Sequence, residues 1–335
     1  MNSKERIKTI VEGRTPDRPP VICPGGMMNM ITTELLEKGG FAFNEVHTDP
    51  EKMAALSEFA YRNKCFENVG VPFCMTAEVE ALGAVVDMGC NNREPRVVGY
   101  PLTSLEEWEK VPCFDVSKGR FQVIKEAINI LSNRLSDVPV IGNVTGPVSA
   151  ATSLIDPSVF YVGLRKKGQM AHALLNHVTN EMLKYIELMI DAGADIIMIA
   201  DPSATGEILG PKFFEEFAVP YINRMVDCIR RKGKISIVHI CGQMTPVLDK
   251  ANAITADILS FDAIVAMNDI RKAMGNRAIM GNVSTYAIED AEADKIIELT
   301  RNAVKQGFDV ISPACGLGMS SPLCNIAAMI DALEE

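Results

Sequence analysis

The chain has 335 residues, 47% of them apolar and 23% charged, and 33 Lys and Arg against 43 Asp and Glu give a formal net charge of −10. That balance, with no basic run, excludes a surface built to follow a phosphate backbone, so nucleic acid is not an expected partner. The opening MNSKERIKTIVEGRTPDRPP lacks an apolar signal core, no run of about 18 apolar residues follows it, and the nine cysteines are too scattered for a disulfide framework. A cytoplasmic protein without a membrane segment is expected.

Taken in order, Ser3–Val11 predicts a short amphipathic helix behind a Ser cap, with Ile7, Ile10 and Val11 on one face. Pro20–Cys23 reads as the first strand and Pro50–Asn68 as a helix. The second strand is placed at Phe73–Val79, and an irregular excursion follows around Val85–Tyr100. Lys118–Leu135 is helical, Val138–Val144 a strand, and Ser158–Ala192 one long helix whose Leu174, Met182, Tyr185 and Met189 recur at core spacing. Five more strands alternate with helices: Asp195–Ala200, Lys234–His239, Asp257–Phe261, Arg277–Asn282 and Phe308–Ser312. Strand and helix in alternation mean a parallel sheet flanked by helices. The eight strands predict an α/β fold, a (β/α)8 TIM barrel with an N-terminal helical elaboration, and residues 1–335 read as a single domain.

Barrel enzymes work at the C-terminal ends of their strands. The residues found there are Cys23, Glu78 and Glu80, Asn143, Asp201, His239 with Cys241, Asp262, Asn282 and Cys315. Helix capping accounts equally well for Asn143, Asn282 and Asp201. It does not account for His239-Ile240-Cys241, because residues two apart on a strand face the same way and bring both donors to one point. Cys315 closes another strand and can reach the same mouth. Two thiolates and an imidazole form a borderline-soft set that suits zinc with one position left open. The rival reading makes His239 a cap and the sulfurs small core residues. Cys65, Cys74, Cys90, Cys113, Cys228 and Cys324 carry no pattern and read as packing residues, and His47, His172 and His177 lack metal spacing.

Several segments together resemble one family: Glu12–Val21, Glu78–Gly83, Gly142–Pro147, Ala200–Pro202 with Leu209–Pro211, Val238–Gly242, Gly281–Ser284 and Pro313–Ile326. They resemble the uroporphyrinogen decarboxylase superfamily, and within it the corrinoid-dependent methyltransferases of the methylcobamide:coenzyme M type. The resemblance implies a catalytic zinc on His239, Cys241 and Cys315, with Asp262 as a displaceable acidic ligand. It implies a methyl group moving between a corrinoid (methylcobalamin type) carried on a partner protein and a small thiol or oxygen substrate, in a direction the residues leave open. Asp201 and Glu80 are candidates to orient substrate or relay its proton, and Asn143 and Asn282 to hydrogen-bond the corrinoid edge. Gly25, Gly26 and Met27, Met28 and Met30 are candidates for a flexible rim under the macrocycle, with ordinary core packing as the other reading. The decarboxylases themselves use an N-terminal Arg-rich motif on their tetrapyrrole carboxylates. This chain has Ile22-Cys23-Pro24-Gly25-Gly26-Met27-Met28-Asn29-Met30 there, which argues against decarboxylation. A noncatalytic zinc or corrinoid binder is the remaining alternative.

Overall fold

In the computed structural model, which describes residues 1–334, nine strands form: β1 (Val69–Val71), β2 (Val85–Asp87), β3 (Arg96–Gly99), β4 (Val140–Thr145), β5 (Ile196–Ala200), β6 (Ile235–Ile240), β7 (Ile258–Phe261), β8 (Ala278–Val283) and β9 (Val310–Pro313). Seven of them make one curled parallel sheet in the order β1-β4-β5-β6-β7-β8-β9, with helices between successive strands. The β-branched runs explain the strands: Val140-Ile141 and Ile196-Ile197 are covered on both faces, and β4, β5, β7 and β9 are buried throughout. Beside β9 runs Pro20–Cys23, where Val21 makes one parallel bridge to Ile311. Ile22 N–H donates to Ile311 O at 2.8 Å, and on the other side Glu67 N–H donates to Val21 O at 2.8 Å. Seven regular strands and one single-bridge segment thus stand where eight strands are expected.

Three expectations need correction. The strand at Phe73–Val79 is instead β1, four residues earlier. Pro72 lacks the N–H a ladder needs, and the helix-favouring Ala77–Ala81 turns helical. The long helix at 158–192 is two, Pro157–Lys166 and Gly168–Asp191, because Lys167 leaves helical geometry (φ −138°, ψ 43°). The N-terminal cap is Asn2 rather than Ser3, in a capping box with Glu5. The irregular excursion is an antiparallel ribbon of β2 and β3.

Helix Gly168–Asp191 lays Leu174, Met182, Tyr185 and Met189 wholly into the core, as their spacing predicts. Leu174, Met182 and Met189 each contribute roughly 1.5–3 kcal/mol by burial. Helix and sheet approach so closely that a Cβ on Gly142 of β4 would lie 2.8 Å from Met189 Sδ. Because the seven strands run parallel, their C-terminal ends, and the loops that carry the reactive residues, share one face.

Candidate metal centre and substrate cleft

His239 lies on β6, opposite Ser260 of β7. The register places Ser260 Oγ 2.9 Å from His239 Nδ1, both groups buried. With Nδ1–H donating to that hydroxyl, Nε2 carries the free lone pair, and it has no hydrogen-bond partner although it is buried. An orphaned buried acceptor costs about 1–3 kcal/mol. Cys241 follows two residues later on the same face, and Cys315 stands just beyond β9. The three ligand atoms lie within 4.8 Å of one another, and this is the one metal-competent group of His, Cys, Asp or Glu among the described residues. The thiol of Cys315 is pulled down by hydrogen bonding from Cys241, and further by His239, while Cys241 is pushed up in return, so one proton serves two sulfurs. An orphaned imidazole nitrogen facing two thiols, one of them drawn toward the thiolate, is a donor set that fits a metal ion.

The group that hydrogen-bonds the far nitrogen of a metal-bound imidazole fixes the ring's orientation and tautomer. Ser260→Ala is therefore expected to weaken metal binding about 10- to 100-fold, without unfolding the chain, which competition against a chelator of known affinity measures.

Cys23, by contrast, donates its thiol to Met28 O at 3.1 Å and is pushed well above the ordinary thiol range by burial. Cys324 is exposed on the last helix, Leu323–Glu334. Neither joins the three-residue group.

Asp262, after β7, accepts from Gly242 N–H and from Ile264 N–H, each at 3.3 Å, and so stands beside the Cys241 loop. A cleft of about 370 Å³ opens over Cys315, lined among others by Asp262, Ile264, Ser284, Tyr286 and Glu289. The remaining candidates are placed differently. Asp201 is fully buried and spends its carboxylate on Ser149 N–H (2.7 Å), Ser149 Oγ–H (2.6 Å) and Val148 N–H (3.2 Å), tying β5 to helix Pro147–Thr152. Burial pushes it up to about 6 against those bonds. Glu80 is ion-paired with Arg120 Nε at 2.7 Å. Asn143 donates to Pro24 O and Val71 O (2.8 and 3.2 Å), and its side chain fills the space where Cβ atoms on Gly25 and Gly26 would sit, at 2.9 and 2.8 Å. With φ of +96° and +62°, those two glycines make a turn closed over Asn143. Met28 and Met30 are wholly buried, so the expected apolar rim is core at those positions. Asn282, at the end of β8, is half-buried and pairs in register with Ser312.

The structure also assembles residues that sequence reasoning passed over. Cys74 is buried with Arg120 Nη1 and Thr76 Oγ1 each 3.3 Å from its sulfur. Burial opposes its ionisation, but the His47 ring and the Arg120 guanidinium beside it and the hydrogen bond from Thr76 outweigh it and bring the thiol down to about 5. Glu94, on the loop between β2 and β3, is pushed up to about 7 by burial and by the sulfurs of Cys74 and Cys315. Glu78 accepts from Thr145 N–H at 2.9 Å through one oxygen, and its other oxygen is buried without a partner. Burial pushes this carboxyl up to about 7.

The sign of the Glu78 effect is that of an acid whose folded pKa is raised. Folded protein holds more protons than unfolded between about 4.5 and 7, so this group's contribution to stability is lost as pH rises through that window. Glu78→Gln keeps the acceptor for Thr145 and is expected to be more stable than wild type by about 3 kcal/mol at pH 8. The difference should close near pH 4.5, as urea unfolding of the metal-free protein at the two pH values would show.

Against known proteins, the family model described as uroporphyrinogen decarboxylase (URO-D) matches residues 2–335. The chain is 32% identical to a methylcobamide:CoM methyltransferase MtaA of Methanosarcina barkeri, over 99% of this chain and 97% of that protein. It is 31% identical to a methylcobamide:CoM methyltransferase MtbA of Methanosarcina acetivorans over the same shares. A solved structure of a methyltransferase from Methanosarcina mazei superposes with a TM-score of 0.91 at 30% identity, covering 99% of this chain and 98% of that one. With that match across all but its first residue, the chain belongs to the uroporphyrinogen decarboxylase (URO-D) family, with methylcobamide:CoM methyltransferases among its relatives.

Proposed function

We propose that the protein is a zinc-dependent methyltransferase, moving a methyl group between a corrinoid on a partner protein and a small thiol bound at His239, Cys241 and Cys315. One observation carries the reading: a buried imidazole nitrogen without a partner converges with two thiols inside 4.8 Å, at the strand-end face of the sheet. The names of the similar methylcobamide:CoM methyltransferases support the chemistry, and an oxygen substrate is the variant the same site would accept. When bound, zinc would lower the pKa of a substrate thiol while two protein thiolates keep the bound sulfur electron-rich. The protein's own residues do the rest. Ser260 holds the imidazole in the ligating tautomer, and Asp262, beside the Cys241 loop though outside the three-residue group, would serve as an exchangeable ligand. In the overall reaction the substrate sulfur forms the new S–C bond, cobalt keeps the pair of the broken Co–C bond and passes from Co(III) to Co(I), and the thiol proton leaves to solvent.

Large exposed apolar side chains suit a partner that covers the mouth: Ile208 after β5, Ile264 after β7 and Tyr286 after β8 are at least half exposed on this rim. We assign that rim to the corrinoid protein, and Asn282 to the corrinoid edge. Asp201, Glu80, Asn143, Gly25 and Gly26 then act by shaping the mouth: the two carboxylates are already engaged, and Asn143 is held through its amide N–H groups under the two glycines. We also take residues 1–335 as one domain and Pro20–Cys23 as the eighth stave of a barrel, in a protein of the cytoplasm. Decarboxylation of a polycarboxylate tetrapyrrole has less support. Residues 22–30, buried except for half-buried Met27, carry no arginine, and Arg14 and Arg18 nearby are paired with Glu12 and Glu67.

The test is transfer from free methylcobalamin to a thiol, followed in the corrinoid absorbance, with zinc-loaded wild type and His239→Ala. Zinc-dependent demethylation by wild type alone supports the reading. Equal rates in both, or turnover of uroporphyrinogen without metal, would refute it.

A further inference from the structure

Cys74, outside the metal group, sits among side chains that favour its anion. Arg120 meets this nest with its whole guanidinium: Nη1 lies 3.3 Å from Cys74 Sγ, Nη2 donates to Thr76 Oγ1 at 3.0 Å and Nε to Glu80 at 2.7 Å. The Thr76 hydroxyl donates to the same sulfur at 3.3 Å. Also beside the sulfur is the His47 ring, wholly buried and packed on Phe43 and Phe73 with centroids 4.8 and 6.4 Å apart. Neither ring nitrogen of His47 has a hydrogen-bond partner, and neither do Glu78 Oε2 and Tyr185 Oη, both buried and both within electrostatic reach of the sulfur. Buried polar atoms are rarely left so, and several around one sulfur call for a further polar group there. Solvent is one ion pair away, because Cys74 is 4% exposed but Glu80, across the guanidinium, is 44% exposed. The remaining charges do not oppose a thiolate at pH 6: Glu78 and Glu94, which face the sulfur, are both pushed up to about 7, chiefly by burial, and are mostly uncharged there. A thiol beside an arginine and an imidazole has the setting of a reactive cysteine, whereas one in apolar surroundings is inert.

We propose that Cys74 is a modification site, oxidised to the sulfenic acid by hydrogen peroxide, with His47, Thr76 and Arg120 holding the reacting sulfur. In that step a sulfur lone pair forms the new S–O bond, the O–O bond breaks with its pair on the departing oxygen, and hydroxide leaves to solvent. The sulfur is oxidised by two electrons and the peroxide is reduced by two. The new hydroxyl would give a ring nitrogen of His47 the partner it lacks. No residue of the metal group takes part, so the inference stands apart from the metal reading.

The experiment treats the purified protein with dilute hydrogen peroxide across a pH series, then counts the unreacted thiol at each cysteine by mass spectrometry after unfolding in an alkylating reagent. At pH 6, Cys74 is expected to be lost about tenfold faster than the exposed Cys90, Cys113 and Cys324, because its larger thiolate fraction outweighs the lower nucleophilicity of a more acidic thiol. From pH 6 to pH 8 its rate should change by less than about twofold, while theirs rise by more than about tenfold. Thr76→Val keeps the volume and removes one hydrogen bond to the sulfur, so the pH of half-maximal loss at Cys74 should move up by about one unit with the exposed cysteines unchanged. Cys241 and Cys315 stay outside the comparison, which makes the outcome independent of bound metal. Cys74 lost no faster than the three exposed thiols at pH 6, or a profile unmoved by Thr76→Val, overturns the proposal.

Discussion

Replacing Cys315 by alanine is expected to strip the protein of its metal and to lower methyl transfer by roughly 1,000-fold or more. The reason is geometric. Three donors are the least that a catalytic zinc site keeps, and the loss of one leaves an imidazole and a single thiol, with no third protein group among the described residues inside the 4.8 Å cluster. Metal analysis should give about one zinc per chain in wild type and near none in Cys315→Ala. Cys324→Ala, on an exposed helix position, should retain wild-type zinc and activity. Full zinc in Cys315→Ala would mean that the sulfur is not a ligand.

The second large effect is on stability. Arg120→Met is expected to destabilise the protein by about 3–5 kcal/mol at neutral pH, the range for breaking a buried charged pair from one side. Glu80 is nearly half exposed and water can take over its carboxylate, so the cost falls on Cys74, buried with only the His47 ring and Thr76 left beside it. Two further results follow from that attribution. The double variant Arg120→Met with Cys74→Ala should recover most of the loss, because the stranded thiolate is gone. The penalty should also depend on pH in one direction: a thiol depressed to about 5 from an ordinary 9 lends stability that is full above 9 and lost as pH falls through about 5. Urea unfolding at pH 9 and pH 5 measures both. A penalty that is flat with pH and unrelieved by Cys74→Ala would assign Arg120 a packing role instead.

How far the molecule is legible in its sequence varies with the distance over which each feature is encoded. The convergence of His239, Cys241 and Cys315 is legible because His239 and Cys241 obey the two-residue period of a strand and Cys315 closes another. The β-branched strands from Val140 onward are legible because both their faces are buried. Ser260 is not, since its role depends on register between neighbouring strands, and no local pattern records which residue of β7 lies beside His239. Arg120 is separated from Glu80 by 40 positions and from Cys74 by 46, and only the packing of helix Gly119–Arg134 against the loop after β1 joins them. Cys74 therefore reads as packing and proves to be a thiol in a polar nest. Strand β1 is three residues long, too short to show a period, and the apolar run behind Pro72 imitates the strand better than the strand itself. Glu94 lies in a stretch whose ribbon could be guessed only as an irregular excursion.

The central claim is that three protein donors hold a zinc whose fourth position belongs to substrate. Zinc-edge X-ray absorption of the purified protein, recorded with and without added thiol, tests it most directly. The account predicts two sulfurs and one imidazole nitrogen from the protein, with a third sulfur appearing when thiol is added and no such change in Cys315→Ala. A four-coordinate site made of protein atoms alone and unmoved by thiol, or no zinc at all, would contradict it.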